Sequence, residues 1–451
     1  MNTAMSLDTI QKALHSASEK SVEVYYSALH STEVSAFKGK TSGYTVSSSS
    51  GLSARVAHGG KIGLSYTEQI TEDTIQSCIR RAEENAEFTE QQEGNKLYER
   101  EEEFHSAEAY ASSLETVTAQ DKKRFAREIE HYALEYDRRI INVPHAIYED
   151  SIGELAVVNT HGIVKTLRAT TAAGMCYLMA SDGEDIQIGL YIQLLNATGD
   201  LDPRYIAEQA AEEALHMLNA REIHSGSYPV VFSNHTASQL LGAFLTHPDS
   251  PFFGENMVKG ISKLQGKEDT RIGSELCTIT DRPLEIGPRF RPFDDEGVAT
   301  AECTVIDEGR FAGPIHNIYS AVRSGTSSTG HGRRGSYTGG LGTAFINPCL
   351  REGEKSEKEL IGETSKGLYV TTVEGLHAGL DPVSGDFSLA AKGFSIEHGA
   401  IGDPVKNITV AGNFFELLSA IEGKADNRRR DDSTAFSSPS LLIGSLSVSG
   451  A

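Results

Sequence analysis

No apolar run in this chain approaches the ~18–20 residues that a membrane-spanning helix requires. The opening stretch, residues 1–20, reads as a polar amphipathic helix without the apolar segment of a secretion signal. A cytoplasmic protein with no membrane association is therefore expected. Cysteine is scarce and badly placed for cross-linking: Cys78, Cys176, Cys277, Cys303 and Cys349 are an odd number at wide spacings. That pattern excludes a disulfide framework and a Cys-x-x-Cys metal site, and predicts reduced, mostly buried thiols. Positive charge is also short, with 41 basic against 63 acidic residues and a net charge of −22. The average field repels phosphate backbones, so no nucleic-acid partner is expected. The one dense basic run, Arg428-Arg429-Arg430, is followed at once by Asp431-Asp432 and reads as local surface ion pairs.

Catalytic signatures are missing too. None of the 15 histidines is followed by glutamate, so the usual helical pairing of zinc ligand and base does not occur. His216 and His224 lie eight residues apart and His235 and His247 twelve, so only a tertiary arrangement could bring such pairs together. Gly-x-Ser-x-Gly is absent, and the glycine-rich stretch 324–335 lacks the Gly-Lys-Ser/Thr ending of a phosphate loop.

What is present is a chain of 451 residues, too long for one ordinary core, with 39% hydrophobic and 23% charged residues as in globular proteins. Its 43 glycines against 13 prolines point to tight turns and hairpins. Ile10, Leu14 and Ala17 have helical spacing, and Val22, Val24 and Tyr26 then alternate as a strand. Leu52, Ala54 and Val56 alternate up to Gly59-Gly60, and Ile62 and Leu64 resume beyond it, which predicts a hairpin. Thr71 caps a helix whose apolar stripe is Ile75, Cys78, Ile79, Ala82 and Ala86. Residues 90–112, acidic and aperiodic, read as a solvated surface connection. A second unit carries Phe125, Ile129, Tyr132 and Tyr136 on a helix, strands between 140 and 195, and a helix after Asp202-Pro203. From Tyr228 onward, glycine-punctuated strands dominate, with a helix near 237–245 and another opened by an Asn413/Glu416 capping box and closed near Gly423.

The expected class is α+β: N-terminal α/β subdomains with antiparallel hairpins and helices, then a mainly β C-terminal domain. The divisions are 1–90, an acidic connection 91–112, a second α+β subdomain 113–222, and a glycine-rich domain 223–451.

Two segments concentrate functional side chains. Phe293-Asp294-Asp295-Glu296-Gly297 gathers three carboxylates ahead of a glycine, suited to a hard cation, to a basic partner group, or to a turn with a solvated or salt-bridged acidic face. Residues 324–335, with Gly325, Gly330, Arg333 and Arg334, combine flexible backbone, hydroxyls and guanidiniums. They read as a mobile surface or interface loop, as an anion cradle, or as a loop over a peptide cleft.

The segments Phe293–Val298, Gly325–Gly330, Gly385-Asp386-Phe387-Ser388 and Val410–Asn413, with Ser438–Leu442 near the end, follow one another as in the TldD/PmbA family, also called modulators of DNA gyrase. The chain resembles that family from about residue 20 onward. The resemblance implies a cytoplasmic zinc-dependent protease of two kinds of subunit acting on unfolded or small peptides, in which TldD-type chains carry His-Glu-x-x-x-His and a later cysteine. Here Gly242 and Ala243 stand where that motif has its first histidine and its glutamate, only His247 is retained, and no cysteine follows Asp431.

That departure is similar to the PmbA (TldE) branch. It implies a non-catalytic chain without cofactor, partnered by a TldD-type subunit that holds the zinc, with peptides captured by strand addition at an open sheet edge. Asp294, Asp295, Glu296, Gly325, Gly330, Arg333, Gly385, Asp386 and Phe387 become the peptide-cleft or interface candidates. The alternatives are an independent homodimeric peptide-binding or regulatory protein and a stand-alone hydrolase using scattered histidines.

Overall fold

The computed structural model describes residues 3–100 and 109–450; the expected acidic connection falls partly outside them, at 101–108. The fold is mixed α+β with antiparallel sheets. Six strands form the first sheet: β1 (Ser21–Phe37), β2 (Lys40–His58), β3 (Lys61–Thr67), β4 (Ile140–Asn159), β5 (Val164–Ser181) and β6 (Ile186–Leu195). Their spatial order is β3-β2-β1-β4-β5-β6, so the two N-terminal units share one continuous sheet through the antiparallel β1–β4 pair. The β2–β3 turn has Gly59 and Gly60 at φ +57° and +74°, as that tight hairpin requires.

One face of this sheet is covered by helices. Val22, Val24, Tyr26, Leu52, Ala54 and Val56 are buried beneath Thr3–His15 and Glu72–Ala86, and Thr71 accepts the Thr74 N–H as the helix cap. Farther along, Phe125, Ile129 and Ile206 from Ala119–Tyr136 and Pro203–His216 pack on Ala146, Tyr148 and Cys176. On the opposite face, alternation leaves the intervening residues polar, a pattern often met by water. At the β1–β2 end that face is buried instead: Glu23, Ser53 and Arg55 are 0%, 0% and 5% exposed. The C-terminal domain covers them.

That domain begins with β7 (Gly226–Phe232). A mixed sheet runs Ala400–Asn413, Asp386–Glu397, Lys366–Glu374, β7, Leu441–Ser449 and Ile421–Lys424; the first and fifth of these strands also pair, so five strands close on themselves. Closure leaves the four-residue strand Ile421–Lys424 at the margin, a short edge for adding a peptide strand. A second sheet of short strands includes Ile279–Asp281, Pro348–Leu350 and Arg429–Arg430. The helix Asn234–Leu245, capped by Ser233, packs Leu240, Leu241 and Phe244 into the main core.

Three local expectations need correction. Residues 92–98 are not merely solvated, since Leu97 and Tyr98 are buried and the Tyr98 carbonyl accepts from Asn159 at 2.8 Å. Asn413 caps its helix through the Phe415 N–H, and the helix ends at Ser419; Gly423 lies in the following strand, where Leu442 pairs with it. The basic run is not a simple surface patch either: Arg430 pairs with Asp432 at 2.9 Å and Arg428 with Glu285 at 2.7 Å, but Arg429 pairs with neither aspartate. The cysteines do match: four are buried, Cys303 is half-buried, and all five are free.

Candidate functional site

The acidic turn lies at the meeting of the first sheet and the C-terminal domain. Asp294, Asp295 and Glu296 are 0%, 0% and 1% exposed, so the solvated reading of this turn is overturned. The backbone places the carboxylates. Asp294 Oδ1 accepts the N–H groups of Glu296 and Val298 at 2.9 and 3.0 Å, which closes the turn, and its Oδ2 accepts the Gly332 N–H at 2.8 Å. Asp295 accepts the Arg334 N–H at 2.7 Å, and Glu296 that of Ile318 at 2.8 Å. Gly332 is required by proximity: a Cβ there would lie 2.7 Å from Glu296 Oε2 and 3.0 Å from Asp294 Oδ2.

Guanidiniums complete the cluster. Glu23 and Arg55 stand opposite each other in the β1–β2 register, with Arg55 Nη2 3.1 Å from Glu23 Oε2 and 3.3 Å from Glu296 Oε1. Arg334 Nη2 donates to Glu23 Oε1 at 2.6 Å and Nη1 to Ser53 at 3.0 Å. Arg291 pairs with Asp295, and Arg333 lies 3.5 Å from the same carboxylate. Burial, and then the Glu296 carboxylate, push Asp294 well above the usual carboxylate range; burial also raises Glu296, against the pull of Arg55. The carboxylate oxygens are engaged by N–H donors, which leaves the hard-cation reading little coordinating capacity. Such a cluster fixes orientation more than it adds stability, because desolvation offsets most of the attraction.

The loop that reads as mobile surface is half interior. His331 is fully buried between Asp281, 2.8 Å from its Nε2, and Thr329, 2.8 Å from its Nδ1. Gly330 is buried, whereas Gly325 follows the short helix Ile318–Arg323 and is exposed with Gly335. The structure thus unites Asp294, Asp295, Glu296, Gly330 and Arg333. It separates Gly385, Asp386 and Phe387: Asp386 is exposed and accepts from Asn413 at 2.8 Å, while Phe387 is a core residue beside Phe244. Phe387 is therefore not a cleft residue.

Gly242 packs against the turn 431–436, where an added Cβ would fall 2.2 Å from Thr434 Oγ1 and 2.8 Å from Phe436 Cβ. A histidine does not fit there. His247 lies one residue beyond the helix cap, and its Nδ1 accepts the Asp249 N–H at 3.1 Å. Among the described residues no group of three or more His, Cys, Asp or Glu side chains is arranged to hold a metal ion. The donor set around this helix does not fit a catalytic zinc.

A groove opens where β6 faces the C-terminal domain. Two adjoining cavities of about 450 Å³ each share His235, Arg429, Glu213 and Leu190 as walls. Sequence reasoning missed Glu23, Arg55 and Arg291, although lone charges flanked by Val22 and Val24, or by Ala54 and Val56, were a usable signal. His235 and Arg429 were noted only as a scattered histidine and as part of a basic run, and nothing local brought them together.

Comparison with known proteins agrees with this architecture. The chain matches the PmbA/TldA metallopeptidase domain 1 over residues 22–86, the central domain over 112–218 and the C-terminal domain over 225–450. It belongs to the PmbA/TldD metallopeptidase family. It is 26% identical over 425 residues to metalloprotease PmbA of Escherichia coli O157:H7, covering 91% of this chain and 89% of that one. A Thermotoga maritima structure described as a modulator of a DNA gyrase superposes with a TM-score of 0.90 at 28% identity, covering 99% of this chain and 100% of the other. TldE from Thermococcus kodakarensis shares the fold, with a TM-score of 0.89 at 22% identity and coverage of 98% and 100%.

Proposed function

We propose that this chain is the non-catalytic, PmbA/TldE-type partner of a TldD-type zinc metalloprotease subunit, acting in the cytoplasm on unfolded or small peptides. The observation that carries this reading is Gly242, whose side of the helix is filled by Thr434 and Phe436 where a zinc-binding histidine would have to stand. A catalytic zinc needs three protein ligands and an activated water, and this helix supplies neither the first ligand nor an adjacent base. The role left to the chain is to build one wall of the cavity and govern peptide access, with zinc held by the partner. The groove beside β6 supports that role, since it is concave, part apolar and bordered by charged groups.

The test is reconstitution with the TldD-type chain of the same genome. Each chain alone and the mixture are assayed for peptide hydrolysis and zinc content. Activity and about one zinc per complex in the mixture, with neither in this chain alone, supports the partner role. Stoichiometric zinc in the isolated chain, lost to a chelator together with peptidase activity, overturns it. A peptide-binding homodimer indifferent to the TldD-type chain would favour the independent regulatory reading.

A further inference from the structure

The groove holds polar groups that its own walls leave unmatched. Arg430 is paired with Asp432 at 2.9 Å and Lys392 with Glu374 at 2.8 Å. Asp431 accepts from Ser433, from the Thr434 N–H and from the Thr434 hydroxyl. Arg429 differs: its guanidinium lies 4.8 Å from the Tyr191 ring centroid and has no carboxylate partner among the described residues. His235 Nδ1 is buried on the same groove without a hydrogen-bond partner. A guanidinium with no carboxylate within ion-pair distance, beside a ring nitrogen with no partner, is an arrangement completed by an anion.

The apolar wall says what carries the anion. Ile188, Leu190 and Ile192, alternate residues of the edge strand β6, line the cavity and stay 48%, 45% and 40% exposed. Alternate strand residues recur at the spacing of alternate side chains in an extended peptide. Strand addition at the middle of this edge is blocked, because Glu213 accepts the Leu190 N–H at 2.8 Å. A ligand must then be held by its end group and its side chains. Glu213, Glu374 and Asp432 also border the cavity, which suits a single negative charge better than a phosphate.

We infer that this groove binds the C-terminal carboxylate of an extended peptide, with Arg429 and His235 at the carboxylate and Ile188, Leu190 and Ile192 against its last apolar side chains. Burial and the nearby Arg429 charge push His235 down to about 4, so the ring is neutral near pH 7 and offers a hydrogen bond without a second charge. The inference goes beyond the partner-subunit reading and rests on it only in taking the ligand to be a peptide.

The test uses the full chain alone and two fluorescein-labelled probes, Gly-Gly-Leu-Val-Leu as the free acid and as the C-terminal amide, followed by fluorescence anisotropy. The acid is expected to bind more tightly than the amide by about tenfold or more, the scale of a charge-assisted pair. Arg429→Gln should abolish that preference, whereas Arg430→Gln, whose side chain is already paired, should keep it. Equal affinity of acid and amide, no binding of either at millimolar concentration, or an acid preference that survives Arg429→Gln would each overturn the inference. The acid–amide comparison needs no variant, so a folding defect cannot mask the result. Because the partner subunit is absent, failure here is distinguishable from failure of reconstitution.

Discussion

The uncovered face of the first sheet meets the C-terminal domain in two ways. At the β1–β2 end, four carboxylates (Glu23, Asp294, Asp295 and Glu296) meet four guanidiniums (Arg55, Arg291, Arg333 and Arg334) in a largely buried contact, with Arg291 and Arg333 partly exposed. At the β6 edge a groove lies between them, bridged by Arg429 over Tyr191 and by Lys406 to Asp185 at 3.2 Å, and Arg429 has no carboxylate within ion-pair distance among the described residues. The difference separates architecture from binding. A cluster whose carboxylate oxygens are engaged, though Arg55 Nε, Arg333 Nη1 and Arg334 Nε make no hydrogen bond, serves to hold two domains in register, while a groove with an unpaired guanidinium retains capacity for an anion.

The comparison is broken most severely at Arg334. Arg334→Met leaves Glu23 buried with fewer partners and should destabilise the fold by about 3–5 kcal/mol, read by urea unfolding. Adding Glu23→Gln to that variant should recover part of the loss. A singly substituted protein as stable as wild type would show that the cluster is not a closed interior contact.

Gly242→His comes next. Forcing an imidazole against Thr434 and Phe436 should cost about 1–3 kcal/mol or more as overpacking, and zinc measured by mass spectrometry should stay far below one per chain. Asp295→Asn removes charge from the partner of Arg291 and should lower stability by about 1–3 kcal/mol, with metal content unchanged.

A smaller effect sharpens the contrast from the groove side. His235 and His316 are both depressed to about 4, His235 by burial and then Arg429, His316 by burial and then His331. A histidine held low in the folded state stabilises above its unfolded value near 6.5, and that contribution is lost as pH falls toward about 4. His235→Gln should therefore flatten, without abolishing, the decline in unfolding free energy between pH 6.5 and 4, because His316 remains. An unchanged slope would mean that the groove does not enclose His235. The smallest effect is expected at Arg429, where Arg429→Gln should alter stability by less than about 0.5 kcal/mol while removing the preference for a free carboxylate.

Much of this molecule follows from local pattern. The alternation of Val22, Val24 and Tyr26, the Gly59-Gly60 hairpin, the Thr71 cap and the stripe from Ile75 to Ala86 stand in the structure as the sequence describes them. These features depend on neighbours a few residues away, and steric and hydrophobic periodicity encode them directly. That Gly242 and Ala243 stand where the family resemblance implies a zinc-binding histidine and its glutamate was read from residue identity, and an added Cβ at Gly242 would lie 2.2 Å from Thr434 Oγ1.

Tertiary structure decided the rest. Alternation assigns the intervening residues of β1 and β2 to a polar face but does not tell whether water or another domain lies beyond it; Glu23 and Arg55 are interior because residues 294–296 and 332–334, more than 230 positions away, fold over them. The acidic turn read as solvated or salt-bridged; the salt-bridged alternative holds, with Arg291 four residues away pairing Asp295, while Arg55 and Arg334 come from remote parts of the chain. Arg429 looked neutralised by the aspartates that follow it, yet the backbone directs Arg430 to Asp432 and Asp431 to Thr434, and Arg429 points to a strand of another domain. Charge pairing is a property of distances in space, and sequence adjacency does not determine those distances where the chain turns sharply.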